Sequence, residues 1–287
     1  MKNFLLIGFS ILGLILLLMG SIWVAGPHLF ALDNYKNILF ISPEIDSSKS
    51  KIYLAYFFPN TNEITLSMIE SAPVSVLGGY GDYELNKVYP LLEIEKKKPD
   101  FRLSAMSWGT ETIVDQIIEI DDEAELKTKK QLQQQLWQGA INRIVNPSQA
   151  VELLKAFFFT KSIPVEQLAI NQEPTLVKEL NVLNNVILYE DCLVAVVNTT
   201  EEVGLASKIS TIIEKNGAVV IRITDQNSPY QLSTFSFDPD NNSCQSLSER
   251  LRVLFPGQII KQHQAQLQHE YRADLIIFIG KDFLNLI

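Results

Sequence analysis

The run FLLIGFSILGLILLLMGSIWVA, Phe4 to Ala25, carries no charge over 22 residues. As an α-helix it would extend about 33 Å, which matches the hydrocarbon core of a bilayer. A cleaved signal peptide is the competing reading, but its apolar region is shorter. The nearest small-residue site, Trp23 to Ala25, also sets a bulky indole where a small side chain is needed. The sequence therefore predicts an uncleaved membrane anchor over residues 1–30. Lys2 precedes the run, and the far flank holds His28, Asp33 and Lys36 without a basic cluster. The positive-inside asymmetry then places the amino terminus in the cytoplasm and the remainder of the chain outside it.

The 287 residues suffice for two domains, and 47% hydrophobic with 20% charged content supports buried cores rather than disorder. A net charge of −9, from 24 basic and 33 acidic side chains, argues against a nucleic-acid partner, because phosphate binding wants clustered Lys and Arg. The expected fold class is α/β. Three strand-like runs, NILFIS (Asn37 to Ser42), KIYLAYFF (Lys51 to Phe58) and EITLSMI (Glu63 to Ile69), follow a polar neck, and PNTN (Pro59 to Asn62) turns the last two into a hairpin. Further on, Leu132, Leu136, Trp137, Ala140, Ile141 and Ile144 recur at helical spacing. NPS (Asn146 to Ser148) ends that helix and caps another, with Val151, Leu154, Ala156, Phe157 and Phe158 as its apolar members.

Residues 37–170 read as one domain, and 171–191 as a linker reached through short helices between Ile163 and Asn185. Residues 192–287 read as a second domain. There CLVAVVNTT, a helix face of Leu205, Ala206, Ile209, Ile212 and Ile213, and AVVIRIT form a βαβ unit. Thr199 and Glu202 stand at capping-box spacing, and Asn216 with Gly217 stops the helix. STFSF, a helix around Leu247 to Leu254 and DLIIFIG complete the domain. Cys192 and Cys244 are expected as buried free thiols, with a disulfide as the alternative that an oxidising compartment permits.

The chemistry-bearing residues form no metal site. His28, His263 and His269 lack ligand spacing, and DPDNN (Asp238 to Asn242) lacks the glycine and the closing acid of a calcium loop, so it is a turn. Asp121, Asp122 and Glu123 lie in a polar turn ahead of a helix, where its dipole favours them. Gly78, Gly79 and Gly81 lack the lysine of a phosphate loop. Ser67 and Ser71 have no base at a telling spacing. Lys87, Arg102, Lys129 and Lys130 are candidate contacts to an anionic glycan or a lipid phosphate, against the plainer reading of a solvated face.

The C-terminal segment carries VAVVNTTEEVGLASKI and ADLIIFIGKDF. In these, Asn198, Gly204, Ala206, Gly280, Asp282 and Phe283 are similar to the LytR C-terminal domain pattern of a strand ending in Asn, a Gly turn, an Ala-containing helix and a final Gly-x-Asp-aromatic. With NILFIS, ITLSMI, ELNKVY and QLQQQL over residues 37–170, the chain resembles the LytR-CpsA-Psr family of bacterial cell-envelope proteins. These order a membrane span, an α/β sandwich domain and a LytR C-terminal domain. The resemblance implies a site where acids and arginines hold Mg²⁺ and the pyrophosphate of a polyprenyl-linked glycan for transfer to peptidoglycan.

The matching positions depart from that chemistry. Glu70 stands for the family's arginine, Ser71 for its aspartate, Lys51 for a metal-binding acid, and Lys129 with Lys130 for an arginine pair. Exchanging Arg for Glu turns bidentate attraction for phosphate into repulsion, and exchanging Asp for Lys removes a hard oxygen ligand. The expectation is a relative without catalytic groups or cofactor, binding glycan or serving as a scaffold. The alternatives are an active Mg-dependent phosphoglycan transferase and a module that binds another envelope protein. The expected partners are the membrane, cell-wall glycan, a polyprenyl lipid or an envelope protein.

Overall fold

The computed structural model describes residues 32, 34–43, 51–76, 81–121, 125–176, 188–189, 191–226, 229–255, 260–262 and 265–285. The apolar run Phe4–Ala25 lies outside them, as do His28, His263 and Gly78 with Gly79. Among the described residues no helix is long and apolar enough to cross a membrane.

The fold is mixed α/β. The opening strands are β1 (Lys36–Ile41), β2 (Ile52–Phe58) and β3 (Glu63–Ile69), and β2 is buried along its whole length. Asn62 takes the left-handed conformation at φ 55°, a region Asn tolerates, and its N–H donates to Pro59 O at 3.3 Å to close the turn between β2 and β3. A small antiparallel hairpin follows, β4 (Pro73–Val76) with β5 (Gly81–Glu84), then two helices absent from the sequence reading, α1 (Leu85–Ile94) and α2 (Pro99–Gly109). Their apolar stripes are short and interrupted by Pro90 and by Ser104 and Ser107, which weakens the periodic signal.

The chain continues through β6 (Gln116–Glu119), α3 (Lys129–Asn142), α4 (Pro147–Ser162) and β7 (Leu168–Thr175), and the first sheet has the order β6-β1-β2-β3-β7. β6 runs parallel to β1. Short helices were expected between Ile163 and Asn185; among the described residues there, one 3-10 turn at Val165–Gln167 precedes a strand, and residues 177–185 lie outside the described ones. β7 is an edge strand, where Pro174 is tolerated because no second neighbour needs its missing N–H.

The described chain divides into two compact units. One takes the described residues within Met1–Lys36, Tyr56–Leu66 and Glu125–Ile170, and the other those within Asn37–Ala55, Ser67–Ala124 and Asn171–Ile287. In the first, Trp137 packs on Phe157 with ring centroids 5.3 Å apart, and Phe57 meets Phe159 edge-on at 6.4 Å. Thr128 caps α3, accepting from Gln131 N at 3.2 Å, while Gln131 Oε1 reaches back to Lys127 N at 2.9 Å. The expected apolar faces are only partly the buried ones. Leu132, Leu136 and Ala140 are buried on α3 while Ile141, turned about 100° from Ala140, and Ile144, past the helix end at Asn142, are exposed. On α4 the buried face is Ala150, Leu153, Ala156 and Phe157 to Phe159, leaving Val151 exposed.

In the second unit the C-terminal sheet contains β8 (Leu193–Asn198), β9 (Val219–Asp225), β10 (Thr234–Phe237), β11 (Ile260–Gln262) and β12 (Leu275–Ile279), in the order β11-β10-β12-β8-β9. β12, β8 and β9 are mutually parallel and β10 is antiparallel to β12. The helices are α5 (Leu205–Lys215), α6 (Asn242–Leu251), α7 (Ala265–Tyr271) and α8 (Lys281–Asn285). Strand alternation sorts the side chains. Val194, Val196, Leu275, Ile277 and Ile279 join α5 and α6 in one core, while Ala195, Val197, Ile276 and Phe278 join Tyr271 and Ala273 on the other face.

The larger core also takes in Trp108 from α2 and Ile113. Trp108 lies 5.7 Å from the Phe283 ring, and Lys208 Nζ sits 4.2 Å over its indole. Around these, Arg250 pairs with Asp115 at 3.1 Å with both side chains nearly out of solvent, and Asp115 Oδ2 also accepts from Asn37 N at 2.7 Å. Asn216 ends α5 as expected, and its Oδ1 accepts from Asn37 Nδ2 and Ile113 N, both at 3.3 Å.

Cys192 and Cys244 are not free thiols. They form a disulfide with Cα atoms 5.1 Å apart across 52 residues, because β8 and α6 bring together two positions that sequence separation hides. Closing a loop of that size restricts the unfolded chain and contributes about 4 kcal/mol. Replacing both cysteines by serine is therefore expected to lower the unfolding free energy by about that amount, read as a lower urea midpoint, with a steeper slope as the uncrosslinked unfolded chain exposes more surface. Truncating Arg250 to Leu strands the Asp115 carboxylate and is expected to cost about 3–5 kcal/mol in the same measurement.

Candidate functional site

The loop after β3 is where the sequence resemblance places catalytic groups. Glu70 is exposed, and its N–H donates to Thr175 O at 3.0 Å, pinning the strand end to β7. Ser71 is half-buried and turned toward α1. Its hydroxyl donates to Asn86 Oδ1 at 2.7 Å and accepts from Asn86 N at 3.2 Å, while Leu85 N donates to Ala72 O at 3.1 Å. A helix N-terminus offers free N–H groups that suit a phosphate, and here the first two are taken by the chain itself. Glu84, at the N-cap, makes no side-chain cap bond and pairs instead with Lys87 at 2.8 Å. Ser71 therefore serves as a remote cap for α1. Ser67 is buried and accepts from Asn171 Nδ2 at 3.3 Å.

Arg102, on α2, is paired with Glu93 of α1, and its guanidinium lies 5.7 Å from the Tyr89 ring centroid. Tyr89 donates to Glu119 Oε1 at 2.8 Å, joining α1 to the end of β6. Burial, reinforced by the Glu119 carboxylate, pushes the phenol up to about 12 from its ordinary 10.0. Lys129 donates to the carbonyls of Ile163 and, at 3.4 Å, Lys161, placing its charge on the negative end of α4. Lys130 is exposed and Lys51 half-buried. Lys87 and Arg102 thus share one unit, each with an acidic partner of its own, and Lys129 closes a helix in the other. Among the described residues no group of three His, Cys, Asp or Glu side chains is disposed to hold a metal ion.

The C-terminal motif residues form a knot at the carboxyl ends of β8 and β12. In open α/β sheets a crevice at such a reversal of strand order is a common ligand site. Here it is laced shut. Thr199 N and Oγ1 both donate to Ile279 O, at 3.2 and 2.7 Å, and Thr199 Oγ1 accepts from Tyr230 N at 3.0 Å. The expected capping box is absent, since Thr199 is spent there and the residue ahead of α5 is Gly204, left-handed at φ 82° with no side chain to cap it. Asn198 bridges outward: its Nδ2 donates to Glu202 O at 2.9 Å and Asp225 Oδ1 at 3.1 Å, and its Oδ1 accepts from Thr200 N at 3.0 Å.

At Gly280 a Cβ would lie 2.4 Å from the Leu232 carbonyl carbon and 2.6 Å from Ser233 N, so no side chain fits. Asp282 Oδ1 accepts from Ser233 N and Oγ at 2.8 and 2.9 Å, and Phe283 is fully buried beside Phe255 and Trp108. The Gly-x-Asp-aromatic pattern is thus architectural in this chain. In the DPDNN turn, Asp238 Oδ1 accepts from Asp240 N at 2.9 Å and Asn241 caps α6 through Cys244 N at 3.0 Å, so it is turn chemistry as expected.

Sequence reasoning missed Tyr89, Glu119, Asp115, Arg250 and Lys208. Burial lowers the Lys208 ammonium pKa, with Glu111 and Asp82 opposing that shift. Asp115 and Arg250 lie 135 positions apart, and no local pattern marks such a pair.

Residues 191–283 match the LytR_C family model, described as LytR cell envelope-related transcriptional attenuator. No curated protein matches the chain. Among solved structures, a transcriptional regulator from Enterococcus faecalis shares 10% identity over 83% of this chain and 93% of its own, with a TM-score of 0.25. TagV of B. subtilis shares 11% identity over 78% of this chain and 98% of its own, at 0.25. A LytR-CPS2A-psr family protein, YwtF (TagT), with bound octaprenyl pyrophosphate lipid, shares 12% over 78% and 91%, at 0.24. Likenesses this faint say nothing about function.

Gly280→Ala is expected to cost more than about 2 kcal/mol in urea unfolding, because backbone rather than a flexible side chain obstructs the added methyl. Tyr89 gives a pH signature. Its folded pKa is raised, so its contribution is fully present below pH 10.0 and is lost as pH rises towards about 12. Unfolding midpoints measured across that window should fall for the native chain and fall less for Tyr89→Phe.

Proposed function

We propose that this chain, whose residues 191–283 carry a LytR_C domain, is a membrane-anchored protein of the cell envelope that binds glycan or scaffolds other components without catalysing transfer. The anchor is the uncharged run Phe4–Ala25, with the amino terminus in the cytoplasm and the two described units outside it. The Cys192 to Cys244 disulfide is consistent with an oxidising compartment.

The observation that carries the non-catalytic reading is the Ser71 and Asn86 pair. At the position where the resemblance calls for an ionised, phosphate- and metal-directed group, a neutral hydroxyl is consumed in capping α1. The nearby cations point the same way, Lys87 with Glu84 and Arg102 with Glu93, and Glu70 adds a negative charge that disfavours pyrophosphate. A surface of paired charges with one surplus carboxylate suits sugar hydroxyls better than a diphosphate.

The full chain in detergent, with Mg²⁺, a polyprenyl-pyrophosphate-linked glycan and peptidoglycan, is expected to give no transfer while co-sedimenting with cell-wall glycan. Transfer above that of a heat-denatured control would establish the enzyme instead. Neither transfer nor co-sedimentation would redirect the reading to an envelope-protein partner.

A further inference from the structure

The stripe that leaves α3 unfinished ends in a cluster at the tip of the α3 and α4 hairpin. Ile141 is 51% exposed, Ile144 74% and Val145 92%, within five consecutive residues. Arg143 lies among them, its Nη1 donating to Gly139 O at 3.3 Å. Three β-branched apolar side chains held at a turn are unfavourable in water unless something covers them. A cation set among them is the composition of a segment that seats at a lipid interface.

The occupant is indicated by where the remaining chain leads. Lys36 is tied to α4 by its pairing with Glu152 at 3.1 Å, and the adjacent Tyr35 packs on Phe58 at 5.1 Å. Glu152 follows Val145 by seven residues, so the tie is about 10 Å along α4 from the tip. The uncharged run ends at Ala25, and the intervening residues 26–35 reach at most about 36 Å when extended. The segment that would enter the bilayer is thus leashed to the tip-proximal half of α4.

We propose that the hairpin tip, with Ile141, Ile144 and Val145, seats in the headgroup layer of the membrane that Phe4–Ala25 enters, with Arg143 facing anionic lipid phosphates. This rests on the anchor proposed above. The tip gives the first unit a second membrane contact and so fixes its tilt, where a lone span would leave it free to swivel.

The test uses the full chain reconstituted into vesicles of phosphatidylcholine and phosphatidylglycerol. The native cysteines are joined to each other, so Val145→Cys and Val165→Cys each supply a single thiol for an environment-sensitive fluorophore. Val165 is 64% exposed just past the far end of α4, a helix of 16 residues and so about 24 Å long. A phospholipid-borne quencher should dim the probe at 145 strongly and at 165 little, with a blue shift only at 145. Equal quenching at both sites, or a probe at 145 that responds only to a water-soluble quencher, overturns the proposal. A blue shift at 145 without lipid quenching overturns it in favour of a protein partner. If the chain fails to float with the vesicles, the anchor itself is refuted and the tip contact with it, an outcome distinct from a floating chain whose tip stays in water.

Discussion

The buried pair of Asp115 and Arg250 is the interaction on which the second unit depends. Two charges are taken nearly out of water, and their desolvation is tolerable only because each is held in place: Asp115 also accepts from Asn37 N, and Arg250 lies on α6, which the disulfide ties to the entry of β8. Asn37 and Asn216 extend the polar seam, and Trp108 with Phe283 supplies its apolar flank. The consequence is that the segment around α2 and the residues of the LytR_C match share one core. A seam with this many directional bonds specifies one docking geometry more than it adds net stability.

The same economy of polar groups governs the places where a ligand would be sought. The N-terminus of α1 is closed by Ser71 and Ala72, the reversal of strand order between β8 and β12 by Thr199, and the end of α4 by Lys129. Each group is a donor or acceptor of the kind that binds phosphate or metal in other settings, and each is satisfied internally. A site whose groups already bond one another must break those bonds before it can bind an ion.

The longer strands were legible because alternation and β-branched content are local, whereas β5, β6 and β11, of three or four residues, carry too few positions to show it. β1, β2, β3, β8, β9, β10 and β12 all lie where the runs predict, within a residue or so at the ends. Helices α1 and α2 escaped because their faces are broken by Pro90 and by serines whose hydroxyls bond to backbone groups. β7 escaped because an edge strand with mostly exposed side chains has no hydrophobic period to read.

At the candidate site, the sequence by itself determined which side chains stand there: Glu70, Ser71 and Lys51 are what they are before any folding. It also determined the turn chemistry of Asn62 and Gly217, at φ 55° and 83°, because the left-handed region selects residue type directly. Only the tertiary structure decided that Cys192 meets Cys244, that Asp115 meets Arg250, that Ser71 caps α1, and that Gly280 is fixed by its neighbour's backbone. These are contacts between positions that nothing in the linear order brings near. Their partners are chosen by how strands pair and helices pack, and residue identity constrains that choice only after the elements have docked.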